Sequence, residues 1–324
     1  MSSSNKVINK NKLQAPKNLT PSYLIDFINE SEIIFFLIRQ HKVGFIFDFT
    51  KVKQASILGV LCTYKIIEFA AFNYCTTHGQ ITISSEMDDA FRKFGFTKLI
   101  NTFLRNPIIE PQRVEKEYKN LEVSIGANFI IAPQALLRHD KSIQSSLNKI
   151  YLPKIDEYYK SNEKAVSMIF LVFSEVLLNF WEHAVSDTKS IIVANGNKQN
   201  IEIACADTGN GIIETLGKSL FEQDLKPEEV LQLAVKKGVT SKRMTNHMGY
   251  GLWILDEIVT RTKGRMHIYS QGAYYINEYG KKKSGSCGYW QGSIVYISLP
   301  LLNPITLSDI QPEEINNDLQ INWT

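Results

Sequence analysis

Two hydrophobic periods, one near two residues and one near 3.6, divide the chain into elements. Short apolar runs at 33–38 and 44–48 have the length of strands. Residues 56–72 carry apolar side chains at 57, 60, 61, 64, 67 and 71, the stripe of a helix. Residues 80–84 return as a strand, and 87–94 as a short helix ending near Gly95. A strand–helix–strand–helix order with apolar strands predicts a sheet covered by helices. Residues 105–120, with Pro107, Pro111 and several charges, read as a linker. A second domain then opens with a strand at 121–131, followed by helical patterns at 133–159 and 163–184. An alternating strand at 201–207 and a helix at 252–259 complete it. The expected fold class is mixed α/β (α+β), in two domains.

The helix at 163–184 is unusual in its polar positions. Glu175, Asn179 and His183 are spaced by four and so share one helix face. Ile169, Phe170, Val172, Phe173, Val176, Leu177 and Phe180 would bury the rest. A carboxylate, an amide and an imidazole beside an apolar surface are costly unless they share a polar ligand. The strand at 201–207 delivers Asp207 into a turn with Gly209 and Gly211, and Gly249 and Gly251 precede Leu252 at a loop-to-helix junction. Asp207 is acceptor-only when ionised. Gly209 and Gly211 permit backbone geometry closed to residues with a Cβ. Amides at a helix start suit phosphate.

In this order, these pieces resemble the ATP-binding domain of the GHKL superfamily (the Bergerat fold), which includes gyrase B, sensor histidine kinases and mismatch-repair ATPases. The likeness covers roughly residues 120–302. It extends to Gly292 and Ser293 at the start of a closing strand that ends at Pro300, with serine where the family usually has threonine. The resemblance implies Mg-ATP as ligand, Glu175 as general base, Asn179 as a Mg²⁺ ligand and Asp207 as the acceptor of the adenine amino group. It places His183, Gly249, Gly251 and Leu252 near the phosphates. It also implies a lid over 212–248, in which Thr240, Ser241 and Lys242 are the most ligand-like residues. His183 reads equally well as a histidine satisfied within the core or bonded to Glu182.

The amino-terminal pattern over 20–104 resembles a STAS domain, the fold of bacterial anti-sigma-factor antagonists. The phosphorylatable serine of those antagonists matches Ala55 here, and Ser56 reads as a helix N-cap. The domain is therefore expected to bind a partner and not to act as a phosphoacceptor.

Composition narrows the rest. The net charge of +3 is too small to argue for nucleic acid by itself. No apolar run approaches the ~18 residues that span a bilayer. Four cysteines, Cys62, Cys75, Cys205 and Cys287, have neither metal-ligand spacing nor disulfide density, which points to a reducing cytoplasm. Residues 1–19 read as a flexible basic tail without a signal-peptide core, and 303–324 as a loosely ordered acidic tail. Lys281, Lys282 and Lys283 read as a solvated hairpin tip. Three uses of ATP follow from the resemblance: an ATPase switch acting on a protein partner or on self-association, an anti-sigma-type serine/threonine kinase, or a scaffold with negligible turnover. The pairing of modules implies, by analogy of architecture alone, a role in bacterial stress signalling or defence.

Overall fold

The computed structural model describes residues 12–37, 46–74, 80–104, 128–136, 149, 151–183, 190–218, 225–240 and 249–311. The chain is mixed α/β, with parallel and antiparallel sheets, and divides into two compact units, Met1–Leu121 and Glu122–Thr324.

The first unit contains β1 (Lys12–Gln14), β2 (Asn18–Leu19), α1 (Leu24–Leu37), β3 (Ile46–Phe49), β4 (Gln54–Ala55), α2 (Ile57–Tyr74), β5 (Gln80–Ile83), α3 (Ser85–Lys93) and α4 (Thr97–Leu104). Strands β1, β3 and β5 lie side by side in that order and run parallel. Parallel neighbours need crossover connections, which α1 and α2 supply.

Two expectations are corrected here. Residues 33–37 belong to α1, not to a strand. Leu24, Phe27, Ile28, Ser31, Ile34 and Phe35 are all buried, at steps of three and four, so the apolar run is one part of a longer helical stripe. Residues 12–19 are not a free tail. Leu13, Ala15 and Leu19 are buried, and β1 pairs with β3. The Lys12 ammonium lies 2.7 Å from the Asp48 carboxylate, and Thr50 Oγ1 donates to the same carboxylate at 2.6 Å. Lys12, followed by Thr50, holds Asp48 well below the usual carboxylate range.

Ser56 is the N-cap of α2. Its Oγ accepts from the Gly59 amide at 3.2 Å and donates to the Leu19 carbonyl at 3.1 Å. Gly59 is needed for closeness, because a Cβ there would lie 2.2 Å from the Leu19 carbonyl oxygen. From Ile57 to Ala70 α2 is buried on every side, and it carries a buried ion pair between Lys65 and Glu68 at 2.6 Å. Burying both partners together avoids the large penalty of a lone buried charge.

The second unit contains β6 (Phe129–Leu136), α5 (Leu152–Tyr159), α6 (Glu163–His183), β7 (Ser190–Gly196), β8 (Asn200–Ala206), α7 (Ile212–Gly217), α8 (Pro227–Ala234), α9 (Gly251–Thr262), β9 (Arg265–Ser270), β10 (Ala273–Glu278), β11 (Lys281–Ser286), β12 (Ser293–Pro300) and α10 (Leu307–Ile310). Seven strands form one sheet in the order β11-β10-β9-β12-β8-β7-β6, and every neighbouring pair is antiparallel. Alternate residues of one face, such as Ile201, Ile203, Cys205, Met266, Ile268, Val295, Ile297 and Leu299, join one core. Phe173, Val176 and Leu177 of α6 and Leu255, Ile258 and Val259 of α9 fill its helical side.

Three more expectations change. Residues 133–136 are strand and not helix: Pro133 sits where the β6–β7 register shifts between Ile131 and Gln134. Proline is tolerated there because β6 is an outer strand with a bulge. Residues 121–127 and 137–148 lie outside the described residues. The supposed acidic tail begins with an ordered helix, where Thr306 and Asp309 form a capping box, Ile310 is buried and Arg261 donates to the Asp309 carbonyl at 2.6 Å. Lys281, Lys282 and Lys283 lie on the outermost strand β11 itself, one step past the turn at Tyr279 and Gly280.

Lys282 reaches back to α9, where its ammonium is 2.6 Å from Asp256 Oδ2. Asp256 is 1% exposed and also accepts from Tyr275 Oη at 2.8 Å and Asn277 Nδ2 at 2.7 Å. These bonds hold α9 to the β10–β11 hairpin. Among the described residues no helix is long and apolar enough to cross a membrane. Cys62 and Cys205 are buried free thiols and Cys287 is a half-buried one.

On the other sheet face, His267 is 1% exposed between Glu278 Oε1 at 3.0 Å and Tyr269 Oη at 3.2 Å. Burial lowers its pKa below 6.5 even against the pull of Glu278. The unfolded chain therefore takes up a proton that the folded chain resists, and stability is lost as pH falls below about 6.5. The lowered pKa of Glu278, due first to its bond with His267, extends the loss as pH falls below 4.5. The melting temperature is expected to drop between pH 7 and 5.5, and His267→Gln to flatten that part of the profile. Parallel wild-type and variant profiles, followed by circular dichroism, would remove His267 from the account.

Candidate functional site

Helix α6 buries Val172, Phe173, Val176, Leu177 and Phe180 and leaves Glu175 and Asn179 half-buried on the remaining face. Asn179 Nδ2 donates to the Glu175 carbonyl at 2.8 Å. That bond fixes the amide plane and makes Oδ1 its acceptor end. The first residue of α9, Gly251, lies directly against both side chains. A Cβ on Gly251 would be 2.6 Å from Glu175 Oε2, 3.3 Å from Asn179 Nδ2 and 3.7 Å from Asn179 Oδ1. A carboxylate oxygen thus lies at the positive end of a twelve-residue helix. His183 is the last residue of α6, and its side chain lies outside the described part.

Gly249, with φ 68°, packs against the chain at 238–239. A Cβ there would lie 2.8 Å from both the carbonyl carbon and the carbonyl oxygen of Val239. Here the left-handed conformation and the close approach both require glycine. Thr240 is half-buried beside this contact, while Ser241 and Lys242 lie outside the described residues. Lys237 Nζ lies 5.3 Å from the ring centre of Tyr250 and 5.1 Å from that of Trp253, cation–π contacts next to the glycine junction.

The second group forms where β8 ends. Because β8 and β12 are antiparallel neighbours, the exit of β8 meets the entrance of β12, and Asp207 N donates to Ser293 O at 2.9 Å. Asp207 is 1% exposed. Its Oδ1 accepts from Gly209 N at 2.7 Å and its Oδ2 from Ser293 N at 3.2 Å. Gly292, at φ 90°, closes on it so tightly that a Cβ would be 2.4 Å from Asp207 Oδ1.

Gly211 plays a different part from the one expected. Its φ of −75° and ψ of 170° are open to any residue. What requires glycine is space, since a Cβ would lie 2.4 Å from Ser270 Oγ and 2.5 Å from Gln271 Oε1. Those side chains cap α7. Ile212 N donates to Ser270 Oγ at 3.0 Å and Ser293 Oγ at 3.1 Å, and Glu214 N to Gln271 Oε1 at 2.8 Å.

A small apolar cluster joins the two groups. Leu216, Val230 and Ala234 form it, with Ile212, Ile213, Val239 and Leu252 packed around them. Ile212 follows the Asp207 turn and Leu252 follows Gly251, so α7 and α8 brace both ends.

Sequence reasoning missed Ser270, Gln271, Trp290 and Gln291 at the Asp207 end. For Trp290 and Gln291 the available signal was their place just before Gly292 and the closing strand. Among the described residues no group of three or more His, Cys, Asp or Glu side chains gathers as a metal site. No protein-family model and no curated protein matches the chain.

Proposed function

We propose that residues 121–302 form a GHKL-type, Bergerat-fold ATP-binding domain, preceded by a STAS-like domain over 20–104, and that nucleotide turnover switches its contacts with a protein partner or with a second copy. The observation that carries this reading is the missing Cβ of Gly251. It brings Glu175, Asn179 and the start of α9 together, although 72 to 76 residues separate them in sequence (251 − 179 and 251 − 175).

These residues fit Mg-ATP. Asn179 offers a neutral oxygen whose direction its own Nδ2 bond sets, the kind of ligand Mg²⁺ takes alongside phosphates and waters. Bound Mg²⁺ would neutralise charge on the triphosphate. The first amides of α9 suit the phosphates. Asp207, a carboxylate with a capacity of about four hydrogen bonds, accepts the adenine amino hydrogen. Glu175 takes a proton from water as its oxygen attacks the γ-phosphorus and ADP leaves. The packing of 238–239 against Gly249 gives the nucleotide a route to the lid, and through it to a partner.

The direct test is calorimetry with Mg-ATP on the full-length protein. Asn179→Ala and Asp207→Ala are each expected to weaken binding by at least tenfold, about the 1.4 kcal/mol of one charged hydrogen bond. Wild-type affinity in either variant would remove that residue from the site. Label from γ-labelled ATP is expected as free phosphate, and stoichiometric label on protein would favour the kinase.

A further inference from the structure

The turn that carries Asp207 is held from outside. Trp290, fully buried, donates its indole Nε1–H to the Asp207 carbonyl at 2.9 Å. The next residue, Gln291, donates its Nε2–H to the Thr208 carbonyl at 2.8 Å. Ser293 N reaches Asp207 Oδ2, and Gly292 fits under the same carboxylate only because it lacks a Cβ. Four consecutive residues, the last three of the β11–β12 connection and the first of β12, therefore grip two consecutive residues of the turn. The grip is itself anchored, since Gln271 N donates to the Trp290 carbonyl at 3.0 Å.

A carboxylate that is free to rotate or shift discriminates poorly between ligand edges, because it can turn away from a repulsive group. A carboxylate fixed at its backbone and at both oxygens cannot. A 6-amino group would meet an acceptor held in place, whereas a 6-oxo group would meet two opposed lone-pair regions and leave a buried acceptor unmatched.

We propose that Trp290 and Gln291 are positioning residues that set base selectivity at this site, favouring 6-aminopurine over 6-oxopurine nucleotides. The inference rests on Asp207 as the base acceptor. It adds residues outside the Asp207 turn that hold the acceptor in place and contact no base.

The experiment compares full-length wild type, Gln291→Ala and Trp290→Phe, by calorimetry with the imidodiphosphate analogues of ATP and GTP. Each variant removes one donor, and Trp290→Phe keeps an aromatic ring in the buried space. Wild type is expected to prefer the adenine analogue. Each variant is expected to lose roughly three- to tenfold of that preference, the scale of one neutral hydrogen bond. The loss should come mainly from tighter binding of the guanine analogue, since a loosened carboxylate can turn away from the 6-oxo group. Equal weakening of both analogues would mean a merely structural role and would overturn the proposal, as would an unchanged ratio. If Trp290→Phe fails to fold, Gln291→Ala, half-buried and away from the core, decides the matter alone. Binding of neither analogue by wild type would sink the nucleotide reading together with this inference, whereas wild-type adenine binding with an unaltered ratio in the variants would sink the inference only.

Discussion

Glu175→Gln is expected to keep nucleotide affinity within a few fold of wild type and to lower ATP turnover by roughly 10²-fold or more, the usual cost of losing a general base. Glutamine has the shape of glutamate, so it fits the space against Gly251 that the carboxylate occupies. It cannot accept a proton from water at neutral pH. Calorimetry with a non-hydrolysable analogue reads the first property, and single-turnover phosphate release reads the second. Undiminished turnover would return Glu175 to a structural role and require another base. Loss of binding together with turnover would make it a ligand contact.

The second large effect separates stability from activity. At Gly251 a Cβ would lie 2.6 Å from Glu175 Oε2, so Gly251→Ala forces that carboxylate away. The movement costs little in folding, because the obstructing atom is the end of a flexible side chain. Alanine also restricts the unfolded chain more than glycine, a gain of about 0.4–1 kcal/mol where the backbone is compatible. Thermal stability is therefore expected to hold or rise. Turnover is expected to fall by about 10²-fold, as displacement of a reacting group by ~1 Å can cost that much. A variant that is both stable and fully active would show that the Glu175–Gly251 contact has no part in the chemistry.

Legibility in the sequence followed the amount of repetition in the pattern. Helix α6 shows its stripe over more than four turns, from Ala165 to Phe180, and its polar file at 175 and 179 stands out against that background. Strand β8 alternates over its first four residues, and β12 is a mostly buried run of eight. The run at 33–37 failed because continuous apolar residues suit a buried strand and a buried helix equally. Only Leu24, Phe27 and Ile28, nine to five residues earlier (33 − 24 and 33 − 28), reveal the longer period. Strand β1 failed for the opposite reason, since three residues cannot display a period, and the ion pair of Lys12 with Asp48 spans a gap that no local pattern reports. The Trp290 and Gln291 contacts with the Asp207 turn also bridge distant segments. Their donors look like ordinary loop residues until β12 is laid beside β8.

The two outermost strands of the seven-stranded sheet have a consequence for behaviour in a crowded solution. An open sheet edge is a template onto which a strand of another molecule can add, and repeated addition leads to aggregation. At one margin, β11 presents Lys281 and Lys283 on either side of Lys282, which is held by Asp256, so a second copy approaching in register would bring like charges together. At the other margin, Pro133 has no amide hydrogen to offer, and the register break beside it interrupts the regular spacing that an incoming strand needs. Among the described residues charge guards one border and geometry the other, so strand addition to the broad sheet that supports the candidate site is disfavoured at both.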